Sequence, residues 1–67
     1  MNYETNEIMN EIVSALKEAG YSPREQISAY LAIGDPKYIT KHNGARDKIQ
    51  NLERSAVKEY YERELLQ

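Results

Sequence analysis

The chain has 67 residues, nine Lys and Arg against eleven Asp and Glu, and no cysteine. That length allows one domain, residues 1–67, which as a fold of this size buries only about 60% of the surface its unfolded chain exposes. Without cysteine there are no disulfides or thiolate metal sites, and a net charge of −2 counts against nucleic acid, whose binders usually carry a basic surplus.

The first element is an amphipathic helix from about residue 5 to residue 19. Ile8, Met9, Ile12, Val13, Leu16 and Ala19 recur at helical spacing on one arc. Gly20 marks its end, because glycine takes the left-handed conformation that closes a helix. The opposite face carries Glu4, Glu7 and Glu11, an acidic surface that anionic lipid repels.

Ser22, Pro23 and Glu25 announce the second helix. Ser22 accepts from a free amide at the helix start, Pro23 fits the first position, and Glu25 has the capping-box spacing. This helix runs from residue 23 to residue 33 with Ile27, Tyr30, Leu31 and Ile33 as its buried positions, and Gly34 ends it. Asp35 and Pro36 open an interruption, since a residue before proline avoids the helical region. Asp35 is expected to cap a single turn anchored by Tyr38 and Ile39. Gly34, Asp35 and Pro36 have neither the glycine-rich loop nor the lysine of a phosphate-binding motif.

A third helix starts at Thr40 or Asn43, with Ala45, Ile49 and Leu52 on its apolar face. The stripe then drifts to Val57, Tyr60, Tyr61 and Leu65, so a break falls at residues 53–55, with Ser55 capping a fresh helical segment. The expected fold is all-α: three main helices plus a C-terminal helical segment. A small fold without staples gains from a second copy of itself, so a homodimer is expected.

Few groups could converge for catalysis. His42 is the only histidine, which is too few for a zinc site, and no cysteine or nucleophile elbow is present. An enzyme is not expected, nor is any cofactor or metal. No apolar run approaches the ~20 residues of a bilayer span, and the N-terminal stretch lacks the basic and apolar blocks of a secretory signal. The chain is therefore read as cytoplasmic, with no membrane and no nucleic acid among its partners.

Charge is distributed unevenly. Residues 1–20 hold four glutamates against Lys17, whereas residues 21–51 hold five cations against three anions. The basic middle supports an alternative reading, a small helix-turn-helix nucleic-acid binder presenting Lys41, His42, Arg46 and Lys48 to a major groove. The acidic total and a turn longer than three or four residues oppose it. Six tyrosines, with no Phe or Trp, suit either the edge of a thin core or an interface. Tyr21, Tyr30 and Tyr38 flank the capped helix and its corner.

The run from residue 20 to residue 54 resembles the IreB family of small regulatory phosphoproteins from Gram-positive bacteria. The resemblance rests on Gly20, Tyr21, Pro23, Gln26, Ile27, Tyr30, Gly34, Asp35, Pro36, Tyr38, Ile39, Asn43, Ala45, Arg46, Ile49, Glu53 and Arg54, at fixed spacing without a gap. It implies a cytoplasmic, helical, dimeric and non-catalytic regulator that acts through protein–protein contacts. It also implies a link to transmembrane serine/threonine kinases that sense cell-wall state, with either the kinase or its pathway as partner. Tyr21, Pro23, Gln26, Tyr30, Gly34, Asp35, Pro36, Tyr38, Ile39, Asn43, Arg46 and Arg54 are then the candidate partner or dimer surface. Family members carry threonine phosphoacceptors in a tail ahead of the first helix. Here the only threonines are Thr5 and Thr40, and neither stands in a matching tail. Thr5, near a helix N-terminus where a phosphate meets the favourable end of the dipole, is the candidate phosphoacceptor. The expectation is a shortened relative that keeps the dimer and partner surface.

Overall fold

The computed structural model describes residues 3–66. Four α-helices follow one another: α1 (Tyr3–Glu18), α2 (Pro23–Ile33), α3 (Ala45–Gln50) and α4 (Arg54–Tyr60). Two short 3₁₀ turns, Pro36–Tyr38 and His42–Gly44, fill the gap between α2 and α3, and a π-helical turn, Tyr61–Leu65, extends α4. No strand occurs among the described residues.

Burial organises these elements around α1. Met9, Ile12, Ala15 and Leu16 are buried, with Ile8 and Val13 packed beside them, so one stripe of α1 faces α2, α3 and α4 in turn. Ile27 and Tyr30 from α2, Ala45 and Ile49 from α3, and Val57 and Tyr60 from α4 close the core around it. Ile39 is also fully buried, although its segment is not helical.

The first helix ends as glycine dictates. Gly20 (φ +86°) lets its own N–H reach the Lys17 carbonyl at 3.0 Å and the Tyr21 N–H reach the Leu16 carbonyl at 2.9 Å. These paired bonds satisfy carbonyls that a helix end otherwise leaves open. At the start of α2, Ser22 has extended backbone and its hydroxyl accepts from the Glu25 N–H at 3.3 Å, with Pro23 at the first helical position.

Ile33 was expected in the core, and this is corrected: it is 62% exposed. At about 100° per residue, Ile33 lies about 120° around the helix from Ile27, while Tyr30 and Leu31 straddle Ile27. Tyr38 likewise does not anchor the corner turn, being 43% exposed. Ile39 alone does so. Proline fixes the turn's start, which leaves room for only one of two adjacent side chains to point inward.

The third helix begins later than Thr40 or Asn43. Asn43 (φ 51°) and Gly44 (φ 72°) are both left-handed, a conformation that asparagine and glycine adopt at least cost, so α3 starts at Ala45. The break before α4 lies where expected, but Ser55 is not its cap. Glu53 carries the extended backbone (ψ 139°) and its carbonyl accepts from Ala56 and Val57 at 3.0 and 3.1 Å. Half-buried Leu52 turns back against the core, so the chain reverses direction two residues before the serine.

Gly34 meets two separate demands. Its φ of +82° is left-handed, and a Cβ built there would sit 2.9 Å from the Arg54 guanidinium. Gly20 is equally left-handed, with open space where its Cβ would be. Gly20→Ala should therefore cost only the backbone term, ~1–2 kcal/mol, and Gly34→Ala more. Urea unfolding checks this: the excess for Gly34→Ala should vanish when both glycine variants are measured with Arg54→Ala. An excess that persisted would place the cost outside the Arg54 contact.

Candidate functional site

The segment between α2 and α3 is the part of the chain with the most side-chain engineering. The Gly34 N–H donates to the Tyr30 carbonyl at 2.7 Å, closing α2. The Asp35 carboxylate accepts from the Lys37 N–H at 2.9 Å, which starts the Pro36–Tyr38 turn. Two side chains then staple the corner from opposite sides. From α2, the Gln26 Oε1 accepts from the Thr40 N–H at 3.1 Å. From α3, Arg46 donates through Nε to the Ile39 carbonyl at 2.9 Å and through Nη2 to the Lys37 carbonyl at 3.4 Å.

A third cation closes the other flank. The Arg54 guanidinium lies over the Tyr30 ring, 5.8 Å from its centroid, and against Gly34. Tyr30, Gly34 and Arg54, widely separated in sequence, thus form one stack in which the missing Cβ leaves the guanidinium its place. Hydrogen bonds to a charged donor are about twice as strong as neutral ones, so Arg46 and Arg54 fix the corner firmly.

These contacts sort the candidate surface residues. Gln26, Tyr30, Gly34, Asp35, Pro36, Ile39, Arg46 and Arg54 build the corner, and Pro23 starts the helix leading into it. Asn43 donates to the Glu18 carboxylate at 2.7 Å, and His42 lies 3.2 Å from the same oxygen, which ties the approach to α3 to the end of α1. Tyr21 (49% exposed) and Tyr38 face solvent. Ile33, assigned to the core by apolar pattern alone, joins them at the surface; its angular position around α2 was the signal available in the sequence. Three large apolar side chains are thus displayed on and beside a rigid corner.

A second constellation joins the chain's two ends and was not visible in the sequence. Asn10 of α1 accepts from the Tyr60 hydroxyl at 2.8 Å. One helical turn earlier, the Asn6 Oδ1 accepts from Arg63 Nη2 at 2.7 Å. Arg63 also lies 5.7 Å over the Tyr60 ring and donates through Nε to Glu64 at 2.9 Å. Thr5 stands half-buried in the first turn of α1, beside Asn6. Burial pushes the Tyr60 phenol above its ordinary value of 10.0; the Glu64 charge adds to this and Arg63 opposes it.

Among the described residues, no group of three or more His, Cys, Asp or Glu is placed to hold a metal ion. No helix is long and apolar enough to cross a membrane.

The pH dependence of the Tyr60 contact follows from the direction of its shift. With the folded-state pKa above the unfolded one, its contribution is fully present below about pH 10 and is lost as pH rises through the folded value. Tyr60→Phe should cost about 1 kcal/mol at neutral pH by removing the bond to Asn10. The gap between wild type and variant, followed by urea unfolding, should narrow above pH 10; a gap that widened there would contradict the assignment.

The family model described as IreB regulatory phosphoprotein matches residues 1–67, the whole chain and more than the 20–54 stretch on which the resemblance was read. The chain belongs to the IreB family, with the regulatory role that membership carries.

Proposed function

We propose that this chain is a non-catalytic cytoplasmic regulator that works by protein–protein contact, as a homodimer, and is a target of a cell-wall-sensing transmembrane serine/threonine kinase. The observation that carries this reading is the family match across the chain, and the architecture of the corner supports it. Arg46, Arg54 and Gln26 are committed to holding backbone and ring in place. What the corner then offers outward is Tyr38 and Ile33, with Tyr21 on the neighbouring turn. Rigid aromatic and aliphatic side chains on a fixed scaffold bind with little entropy lost on ordering, and tyrosine is among the residues enriched at interface hot spots.

Within this reading Thr5 is the phosphoacceptor. It lies in the first turn of α1, inside the stretch that the family pattern covers. First turns fray, which gives a kinase the local extension it needs, and the helix dipole favours the product. The helix-turn-helix alternative is weaker: α3 has six residues, about 9 Å of helix, and Arg46, its central cation, is spent on two backbone carbonyls.

Light scattering at micromolar concentration should give twice the 7.8 kDa chain mass, and Ile33→Glu, which places a charge on the displayed patch, should shift the mass toward one chain. A wild type that stays monomeric at high concentration removes the dimer. Incubation with the cytoplasmic domain of a cognate kinase and ATP should add one phosphate at Thr5 by mass spectrometry. Modification confined to other residues overturns that assignment. A retarded band with generic duplex DNA at low salt would favour the alternative, since low salt strengthens phosphate contacts.

A further inference from the structure

We infer that Arg63 is the receiver of a phosphate on Thr5, so that modification at the start of α1 is read by the π-helical turn at the other end of the chain. The inference rests on Thr5 being the phosphoacceptor and adds what the phosphate would do.

The geometry starts from Asn6. Its Oδ1 already holds Arg63 Nη2 at 2.7 Å, so the guanidinium is docked on α1 at the residue next to Thr5. Adjacent Cα atoms lie about 3.8 Å apart, and Thr5 is one step of about 100° around the helix from Asn6. Thr5 also precedes buried Met9 by four residues, which places it on the same side of the helix. A phosphate on Oγ1 would project a few ångströms further along the flank that Arg63 occupies. Threonine acquires it when Oγ1 attacks the γ-phosphorus of ATP, ADP departs and the hydroxyl proton is released.

Chemistry then decides between the two acceptors. Asn6 offers Arg63 a neutral amide oxygen, whereas the phosphate offers three strong acceptor oxygens and close to two negative charges. Hydrogen bonds between ions of opposite charge are about twice as strong as those to neutral groups, and arginine binds phosphate through two parallel donors. Arg63 Nε is directed at Glu64, so Nη2 is the part turned toward α1. Glu64 is also the nearest opposing charge on the receiving turn, with Glu4 and Glu7 on α1. They repel a phosphate that lacks Arg63 and so sharpen the dependence on that residue. The first consequence is a direct tie, phosphothreonine to Arg63, in place of the Asn6 bond. The second falls on Tyr60, whose ring lies 5.7 Å beneath the same guanidinium and whose hydroxyl is bound to Asn10.

The test uses the full 67-residue chain made by chemical synthesis with phosphothreonine at position 5, so no kinase is needed. Phosphorus NMR should give a lower second phosphate pKa in the otherwise wild-type chain than in Arg63→Gln, with Arg63→Lys between them, because a paired cation favours the dianion. Titrations that superimpose overturn the inference. Should Arg63→Gln fail to fold, the Arg63 Nε–H resonance and the Asn6 side-chain amide in the wild-type background replace it. Both should move on phosphorylation and move back as the phosphate is protonated; if neither moves, the inference is wrong. Failure of a kinase to modify Thr5 would sink the functional reading and leave this result standing, while superimposed titrations would do the reverse.

Discussion

Burying Ile39 is the constraint on which the middle of this protein turns. A fully buried side chain brings its backbone inward, and a backbone outside any helix has no ladder to satisfy its polar groups. Eleven residues, 34–44, pass between α2 and α3 without α-helix, which in a chain this small is a large share of the structure. The solution is to import partners. Arg46 supplies donors to the Ile39 and Lys37 carbonyls, and Gln26 supplies an acceptor to the Thr40 amide. The apolar anchor and its polar staples are interdependent: without Ile39 the staples hold a loop against nothing, and without Arg46 a buried carbonyl loses its donor.

Arg46 and Arg54 were candidates for an outward-facing role because cations on a small regulator suggest a partner. Both are turned inward instead, Arg46 onto backbone and Arg54 onto an aromatic ring beside a glycine. The recurring pattern of the corner is therefore mostly a pattern of construction. What it constructs is display: Tyr38 and Ile33 remain uncovered because everything around them is fixed by something else. A regulator that binds through few side chains benefits from this division, since the residues that touch a partner are then free of structural duty.

Much of this was legible in the sequence, for local reasons. Helix ends marked by Gly20, Ser22 with Pro23, and Gly34 stand where those residues demand, because caps and left-handed closures are encoded within a few positions. The core stripe of α1 followed from spacing alone. Ile33 was misplaced because apolar character was counted without its angle around the helix. The Asn43 and Gly44 pair was legible as a left-handed step, yet a helix seemed to begin there because charged and apolar residues follow at helical spacing. The break at Glu53 preceded Ser55 because the tertiary demand of Leu52 outweighed a favourable capping residue. Nothing local encodes the stack of Arg54 on Tyr30 or the bonds from Asn6 and Asn10 to Arg63 and Tyr60; these join residues far apart in the chain and exist only once the helices have packed.

The two constellations are mechanically related through α1. At its C-terminal end Glu18 holds His42 and Asn43 at the approach to α3; near its N-terminal end Asn6 and Asn10 hold the turn that follows α4. The contacts at the first end are solvent-exposed and worth little individually, whereas Tyr60 at the second end is buried with its hydroxyl satisfied. A change in charge near the start of α1 therefore acts where the polar contacts are least screened. Between the two ends runs an unbroken stripe of buried side chains, and closely packed interiors transmit displacement instead of absorbing it. A fold of this size has no second domain to move, so a regulatory signal has to alter how its one long helix sits against the short ones. The placement of Asn6, Asn10, Glu18 and their partners along that helix gives such a signal a route to the corner that carries the exposed patch.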